Sequence, residues 1–145
     1  MNFVWNKQVV PNQNLVNTTA IDIRTNFKKI TEEFCKIFYA TYDSSFVQLG
    51  LFFNQNAFIT YMDEEFIGFT NLIEKLKLYN IYKFAHHTAH VNSQPIGEKT
   101  LLITVSGTLS VNDSIYSQRF METFFIQRDD QNHFAIYHCI FKLIE

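Results

Sequence analysis

The sequence has little glycine or proline, with 4 Gly and 2 Pro in 145 residues. These fractions lie well below the roughly 7% and 5% of ordinary proteins, and they exclude collagen-like and low-complexity chains. An excess of basic charge is also absent, because 12 Lys and Arg oppose 14 Asp and Glu for a net charge of -2. Since contacts to phosphates need a basic surface, the composition argues against nucleic-acid binding.

The chain is also poor in cysteine and in long apolar runs. Its 2 cysteines, Cys35 and Cys139, lie far apart in apolar segments and lack Cys-x-x-Cys spacing. This is typical of buried free thiols in a reducing compartment. No window of about 18 uncharged apolar residues occurs, and the start lacks a basic segment followed by an apolar run. We therefore expect a soluble intracellular protein with no membrane insertion and no cleaved signal.

Aromatic residues are abundant, with 16 Phe, 7 Tyr and 1 Trp making 17% of the chain. A chain of this length forms one domain and buries on the order of 70% of its unfolded surface, so the rings predict a large core. Residues 1–20 are polar and lack a period, and we interpret them as an N-terminal extension that could be disordered. Within it, Phe3, Val4 and Trp5 could dock on the domain, which spans residues 21–145.

The periodicity predicts helices first and strands afterwards. Apolar positions from Ile23 to Tyr42 step by three and four, which predicts a helix that ends near Asp43. A turn at Asp63-Glu64-Glu65 joins the strands of a short hairpin. An α+β fold follows, with about three helices on a strongly curved, mostly antiparallel sheet. The other predicted helices cover 46–53 and 69–78, the hairpin strands 57–61 and 66–67, and the long strands 82–91, 99–111, 115–128 and 134–144.

Apolar residues occupy both faces of the long strands, as in Leu101-Leu102-Ile103 and Phe124-Phe125-Ile126. Three modest helices can cover only one face, so the other is expected to pack on a second copy or a partner. The alternative is that strong curvature hides both faces within one chain. The residues expected on the shared face are Met121, Phe124, Phe125 and Ile140.

Motifs for nucleophilic or phosphoryl-transfer chemistry are missing, since no P-loop, Gly-x-Ser-x-Gly or His-Glu-x-x-His pattern occurs. In a strand His86 and His90 would share a face while His87 points away, and because no third ligand is near we expect no metal. Glu122 and His138 interrupt apolar strands and are the acid–base candidates. Such residues are more often satisfied core or interface groups.

A set of short motifs runs in order through most of the chain. Its members are residues 34–43, Gln48-Leu49-Gly50, Ile59-Thr60-Tyr61, Phe66-x-Gly68, residues 73–76, Lys83-x-x-His86, Gln94-Pro95, Gly107-x-Leu109, residues 119–124 and Ile140-Phe141-Lys142. No single motif is decisive, but the ordered set is specific. It covers about residues 24–144 and resembles the nuclear transport factor 2 family.

The resemblance implies a cone-like α+β fold, a homodimer formed by face-to-face sheets, and no catalysis; we expect no cofactor. Members of that family carry the GDP form of Ran into the nucleus and bind Phe-x-Phe-Gly repeats of nucleoporins, which implies the cytoplasm, nucleus and nuclear envelope as locations. In that family an aromatic side chain of Ran enters an apolar cavity of the transport factor. Acidic groups on the rim of the cavity pair with basic side chains of Ran. The residues expected to line this cavity are Tyr61, Met62, Phe84 and Phe141.

The rim differs from the family pattern at two places. Met62 replaces a Glu, and the acidic Asp-Glu-Asp turn is Asn112-Asp113-Ser114. Losing a charged partner at an interface costs about 2 kcal/mol or more, so the resemblance predicts peptide binding more strongly than Ran binding. The rim positions that remain candidates for Ran are Asp63, Glu64, Asn112 and Asp113.

Phe27 matches the family's Trp that meets nucleoporin Phe rings, so it is the expected nucleoporin contact. Two other interpretations stay open. The run at residues 119–124 also resembles the amino-terminal domain of stress-granule scaffold proteins, and the small partner of messenger-RNA export receptors shares the fold; both imply a scaffold or heterodimer subunit. A small lyase or isomerase that uses the cone is the less favoured interpretation.

Overall fold

The computed structural model describes residues 4–5 and 20–144. Helices come early and long strands late, as the sequence predicts. The helices are α1 (Ile23–Ser45), a 3₁₀ helix (Phe46–Phe52) and α2 (Phe69–Leu78). The strands are β1 (Val4–Trp5), β2 (Phe53–Tyr61), β3 (Glu64–Ile67), β4 (Phe84–Ile96), β5 (Thr100–Val111), β6 (Gln118–Arg128) and β7 (His133–Ile144).

Helix α1 follows from its apolar stripe and its cap. The Asp22 carboxylate accepts a hydrogen bond from the Arg24 backbone N–H at 2.9 Å, which satisfies one of the unpaired donors at the helix start. Ile30, Phe34 and Phe38 recur at helical spacing and are buried against the sheet. The helix ends at Ser45, two residues later than the predicted end.

The predicted second helix is a 3₁₀ helix, so the described residues form two α-helices instead of the predicted three. The segment is only seven residues long, and its end is closed by the Phe53 N–H bonding back to the Gly50 carbonyl, the three-residue step of a 3₁₀ turn. Phe46, Leu49 and Phe52 are buried in this turn. The tight helix therefore leads the chain directly from α1 into β2.

The sheet has the order β3-β2-β7-β6-β5-β4. Strands β4 to β7 pair antiparallel as the predicted meander, and β2 lies parallel to β7. The first hairpin turns at Met62 and Asp63, whose φ values of 53° and 67° suit a tight turn, one residue earlier than predicted. Strand β4 includes Pro95, which the sequence placed in a connection. β4 is an edge strand of the sheet, and a backbone nitrogen that points away from the sheet makes no hydrogen bond to a neighbouring strand. Proline, which has no N–H, is therefore tolerated at such a position.

The core lies between α1 and the inner face of the sheet. The Phe34 and Phe38 rings stack 5.1 Å apart, and both meet Phe124 edge-on, at 5.0 and 5.1 Å. All three side chains are almost fully buried. Truncating such a ring typically costs about 3–5 kcal/mol, so these contacts position α1 on the sheet.

Part of the predicted N-terminal extension belongs to the sheet. Val4 and Trp5 pair in parallel with His133 and Phe134 of β7, and Trp5 packs against the core. Residues 1–3 and 6–19 lie outside the described residues, so the predicted extension is not described as a whole.

Gly107 is required where β4 and β5 approach most closely. A Cβ at this position would lie 2.1 Å from the His87 carbonyl oxygen and 2.9 Å from the Thr88 Cα. The clash falls at the register shift between Thr88 and His90, where β4 carries a bulge.

We predict that Gly107→Ala lowers the free energy of unfolding by about 2 kcal/mol or more, because backbone must move to admit the methyl group. Urea unfolding measures the change. The matched control is Thr108→Ala on the next position of β5, for which we expect a loss of about 1 kcal/mol or less. Equal stabilities for the two variants would contradict the close approach.

Candidate functional site

The rings expected in the cavity lie in one aromatic cluster on the inner face. Tyr61 stacks on Phe141 with centroids 4.6 Å apart, and Phe141 lies 6.1 Å from Phe120. Phe84 meets Tyr42 edge-on at 4.8 Å. Apart from the half-buried Tyr61, these rings are almost completely buried, and they occupy this end of the interior themselves. A partner's ring would have to enter beside them.

Met62 lies at the edge of this cluster, in the β2–β3 turn. Its side chain is 42% exposed, and its sulfur accepts a hydrogen bond from the Leu143 N–H at 3.3 Å. Of the four predicted cavity residues, Met62 is therefore the one that faces solvent.

Surface pockets formed by the described residues lie away from the four cavity residues. A groove of about 460 Å³ runs between α1 and β4, with Phe27, Cys35 and Val91 among its lining residues. A pocket of about 790 Å³ lies between α2 and the start of β7, where Phe69 and His133 line it. The predicted nucleoporin contact Phe27 thus lines a surface groove, and Cys35 and Val91 are members that the sequence did not identify.

His86 is a buried histidine held by Asp43. Its Nδ1 lies 2.6 Å from Asp43 Oδ1, and its backbone N–H donates to Oδ2 at 2.9 Å. Burial lowers the pKa of His86, and the hydrogen bond to Asp43 opposes this shift. The imidazole is therefore neutral, with its proton on Nδ1. The buried Nε2 has no hydrogen-bond partner among the described residues.

The prediction that His86 and His90 share a face is wrong. His86 pairs with Leu109 and His90 with Ser106, and positions three apart on β5 point to opposite faces. The bulge between Thr88 and His90 causes this change of side. In the described part of the chain, no three His, Cys, Asp or Glu side chains come together as a metal site.

Glu122 is a buried carboxyl in a short polar network. The Tyr39 hydroxyl donates to Oε1 at 2.8 Å, and the Cys139 thiol donates to Oε2 at 3.4 Å. Burial raises the pKa of Glu122 to about 7, although both hydrogen bonds act to lower it. Burial also raises the pKa of Tyr39 and Cys139, so these donors keep their protons at neutral pH.

The proposed acid–base pair does not meet. Glu122 lies opposite Phe141 on the inner face, whereas His138 pairs with Phe125 and Phe58 and stacks 5.6 Å from the Phe58 ring on the outer face. The sheet separates the carboxyl from the imidazole, so the two cannot share one ligand.

Each acidic side chain of the predicted rim has a lysine partner from the same chain. Asp63 lies 3.5 Å from Lys142, Glu64 lies 3.1 Å from Lys75, and Asp113 lies 2.7 Å from Lys83. These are exposed pairs, which stabilise the fold little, but they reduce the negative field of the rim. The lysines come from distant parts of the sequence, so no local pattern could have identified them.

Asn112 has a structural role in the rim. Its side-chain oxygen accepts from the backbone N–H groups of Tyr82 and Lys83, and its Nδ2 donates to the Asn80 carbonyl at 2.9 Å. An aspartate could not supply that donor. The neutral residue therefore holds together the loop before β4 and the turn after β5.

The outer sheet face is apolar and partly exposed. Met121 and Ile140 are 47% and 53% exposed on it, and Phe125 contacts His138 at 5.9 Å. Phe58, which the sequence did not identify, also lies on this face, because it alternates along β2 with the buried Ala57 and Ile59. Phe124 was predicted here and is instead in the core, because it alternates with Phe125 along β6.

A helix laid across a strongly curved sheet, with aromatic rings filling the space between, defines the cone-like α+β class. The family model described as the nuclear transport factor 2 (NTF2) domain matches residues 30–143. The chain belongs to this family, as the ordered motifs predicted.

Nuclear transport factor 2 of Debaryomyces hansenii is 28% identical over 119 residues, which cover 81% of this chain and 95% of that protein. The structure of nuclear transport factor 2 from Cryptosporidium parvum covers 86% of this chain and all of that chain, with a TM-score of 0.75 and 22% identity. A chain of the yeast complex of the deubiquitinase Ubp3 and its cofactor Bre5 has a TM-score of 0.67 at 16% identity, covering 81% of this chain and 97% of its own. These structures confirm the fold. No helix among the described residues is long and apolar enough to cross a membrane.

We predict that the free energy of unfolding falls as pH rises from about 4.5 to about 7, by on the order of 1 kcal/mol or more from Glu122. The free energy of unfolding falls because Glu122 keeps its proton to a higher pH in the folded state than in the unfolded state. Between pH 4.5 and 7 the folded state therefore binds more protons than the unfolded state does. Glu122→Gln keeps a neutral group of the same shape. It should match the wild type near pH 4.5 and exceed its stability near pH 8.

Urea unfolding at several pH values tests this, with Glu74→Gln on the exposed side of α2 as the control. The control should keep the wild-type pH dependence. A Glu122→Gln variant that loses stability in parallel with the wild type would show that Glu122 is not the group responsible.

Proposed function

We propose that this protein is a non-enzymatic nuclear transport factor that works as a homodimer and binds Phe-x-Phe-Gly repeats of nucleoporins. The observation that carries the proposal is membership of the nuclear transport factor 2 family over residues 30–143, together with relatives that bear that name. The same relatives support a location in the cytoplasm and nucleus. Binding to nucleoporins would also place the protein at the nuclear envelope.

The outer sheet face supports the homodimer. Met121, Ile140 and Phe58 expose large apolar area on one side of the sheet, while α1 covers the other side. Contiguous apolar patches of this kind usually mark interfaces, and a two-fold dimer would bury the same residues on both copies. In this arrangement Phe125 and His138 lie at the interface, and Phe124 supports it from the core.

The groove that contains Phe27 suits an apolar peptide side chain. Phe27 is half-buried and contributes a ring, Val91 contributes an apolar wall, and Lys28 and Glu32 lie at the margin. A phenylalanine side chain could insert between α1 and β4 and lose much of its water-exposed surface.

Binding of Ran in its GDP form is the weaker part of the proposal. The carboxylates of Asp63, Glu64 and Asp113 are engaged by lysines of this chain, so a basic partner must displace those lysines. Entry of a Ran ring next to Tyr61 and Phe141 would also require the aromatic cluster to open.

The second candidate is a scaffold or heterodimer subunit, of the messenger-RNA export or stress-granule type. The observation in its favour is the same outer face, since its apolar side chains could equally meet a different chain of this fold. A lyase or isomerase is not favoured, because Glu122 and His138 lie on opposite faces of the sheet.

We predict that the wild type sediments at twice the 17.1 kDa chain mass at micromolar concentration, and that Ile140→Asp sediments at the chain mass. Burying an unpaired carboxylate at the interface costs several kcal/mol, which is enough to dissociate a standard dimer. Leu78→Asp is the control, because Leu78 is highly exposed but lies on α2. A wild type with the mass of one chain would contradict the homodimer and favour the heterodimer candidate.

We predict that Phe27→Ala weakens binding of a fluorescent Phe-x-Phe-Gly peptide about tenfold, since losing a ring contact of this kind costs about 1–2 kcal/mol. Fluorescence anisotropy measures the affinity, and thermal unfolding checks that the variant is folded. Ile37→Ala, an exposed residue elsewhere on α1, should bind as the wild type does. Unchanged affinity in Phe27→Ala would remove this groove from the proposal.

A further inference from the structure

His138 lies between two aromatic rings on the outer face of the sheet. Its ring stacks on Phe58 of β2 with centroids 5.6 Å apart and an interplanar angle of 8°. It meets Phe125 of β6 edge-on at 5.9 Å. His138 is nevertheless exposed, as is Phe58. Neighbours in its own chain therefore hold the imidazole in place, while much of its surface remains in contact with solvent.

The strand register places His138 inside a row of apolar side chains. This row crosses the sheet from β3 to β5, and each strand contributes one member opposite the next. Its members are Ile67, Phe58, His138, Phe125 and Leu102. His138 is the member of this row that can carry a charge. A chain that packs on the outer face must therefore cover the imidazole together with the apolar side chains beside it.

The positions next to His138 on the neighbouring strands are uncharged. Phe58 and Phe125 lie directly opposite, and the next outward residue of β7, Ile140, lies between Thr60 and Thr123. Toward the start of β7, the residues two positions from Phe58 and Phe125 are Asn56 and Gln127, which are also neutral. No carboxylate of the described residues thus lies opposite the imidazole or in the next row.

Other ionisable groups of the outer face lie farther away. Glu65 is two strands from β7, opposite Thr60, and Lys142 is four positions along β7, where it pairs with Asp63. Glu122 and Cys139 lie on the inner face. The remaining groups on the outer side are Tyr137 at the register shift of β7, Arg119 on β6, and His87 and His90 on β4.

Burial affects the two protonation states of this imidazole differently. Apolar side chains can cover a neutral ring at modest cost, whereas an imidazolium without a carboxylate partner is costly to remove from water. The Phe58 ring can attract the charged form through its face. That attraction exists in the free chain as well, so it does not favour association. Covering the outer face with a second copy therefore requires His138 to be neutral.

We propose that His138 makes the homodimer depend on pH, so that two copies associate through the outer sheet face when their imidazoles are neutral and separate when these are protonated. This inference rests on the proposed homodimer, to which it adds regulation over the range of pH 5 to 8, where histidine ordinarily changes its charge. The dimer binds fewer protons than two separate chains do in that range. Association therefore weakens as pH falls.

Sedimentation equilibrium of the 145-residue chain at pH 7.5 and pH 5.5, at one ionic strength, tests this. We expect the dimer dissociation constant to be at least tenfold larger at pH 5.5, because a two-fold dimer contains two histidines that must lose a proton on association. Circular dichroism at both pH values verifies that the chain stays folded.

Two variants remove the charge in different ways. His138→Phe keeps an aromatic ring that cannot be protonated, and His138→Asn removes the ring and the charge together. In both, the ratio of the dissociation constants at the two pH values should fall to near one. His90→Asn is the matched control, because His90 lies on β4, three strands from β7, and this variant should keep the wild-type ratio. Glu122→Gln, which changes the inner face, should keep it as well.

The possible outcomes separate the inference from the proposed function. A wild type that is equally dimeric at both pH values would overturn the inference and leave the homodimer intact. Tighter association at pH 5.5 would also overturn it, because a carboxylate of the second copy would then be pairing with the imidazolium. So would a pH dependence that His90→Asn removes and His138→Phe keeps. A wild type with the mass of one chain at pH 7.5 would instead contradict the proposed homodimer, and the inference with it.

Discussion

The packing of α1 on the inner face of the sheet is the contact on which the other features depend. Phe34 and Phe38 meet Phe124 there, and the same layer continues to Trp5 on one side. Because α1, the 3₁₀ helix and α2 together pack on this face, side chains of the chain itself fill the interior. Among the described residues no helix covers the outer face, so the outer sheet, the groove between α1 and β4 and the rim are the candidate surfaces for partners.

The polar groups inside this core are few and have specific partners. Glu122 is held by Tyr39 and Cys139, and His86 is held by Asp43. Burial lowers the pKa of His86 and raises that of Glu122. Their contacts satisfy the Glu122 carboxyl oxygens and His86 Nδ1, and they connect α1 to the sheet.

Local periodicity was enough to predict most of the elements, because α1 and the meander of β4 to β7 carry strong patterns. The family was predicted from the resemblance of the ordered motifs. Local periodicity failed where the position of a side chain depended on a neighbouring strand or on a residue distant in the sequence. The bulge in β4 moved His90 to the other face, and Phe124 turned inward because helix-facing and outward positions alternate along β6. The lysines that pair with Asp113 and Asp63 are distant from them in the sequence, and the pairing of Trp5 with β7 joins residues near opposite ends of the chain.

We propose that this protein binds aromatic-rich peptide on its surface while its interior stays packed. NMR chemical-shift mapping with labelled aromatic side chains and a Phe-x-Phe-Gly peptide tests it most directly. We expect the largest shifts on Phe27 and its neighbours in the groove between α1 and β4, with little change at Tyr61, Phe84 and Phe141. Largest shifts on those three interior rings would contradict it, because the peptide would then occupy the cone.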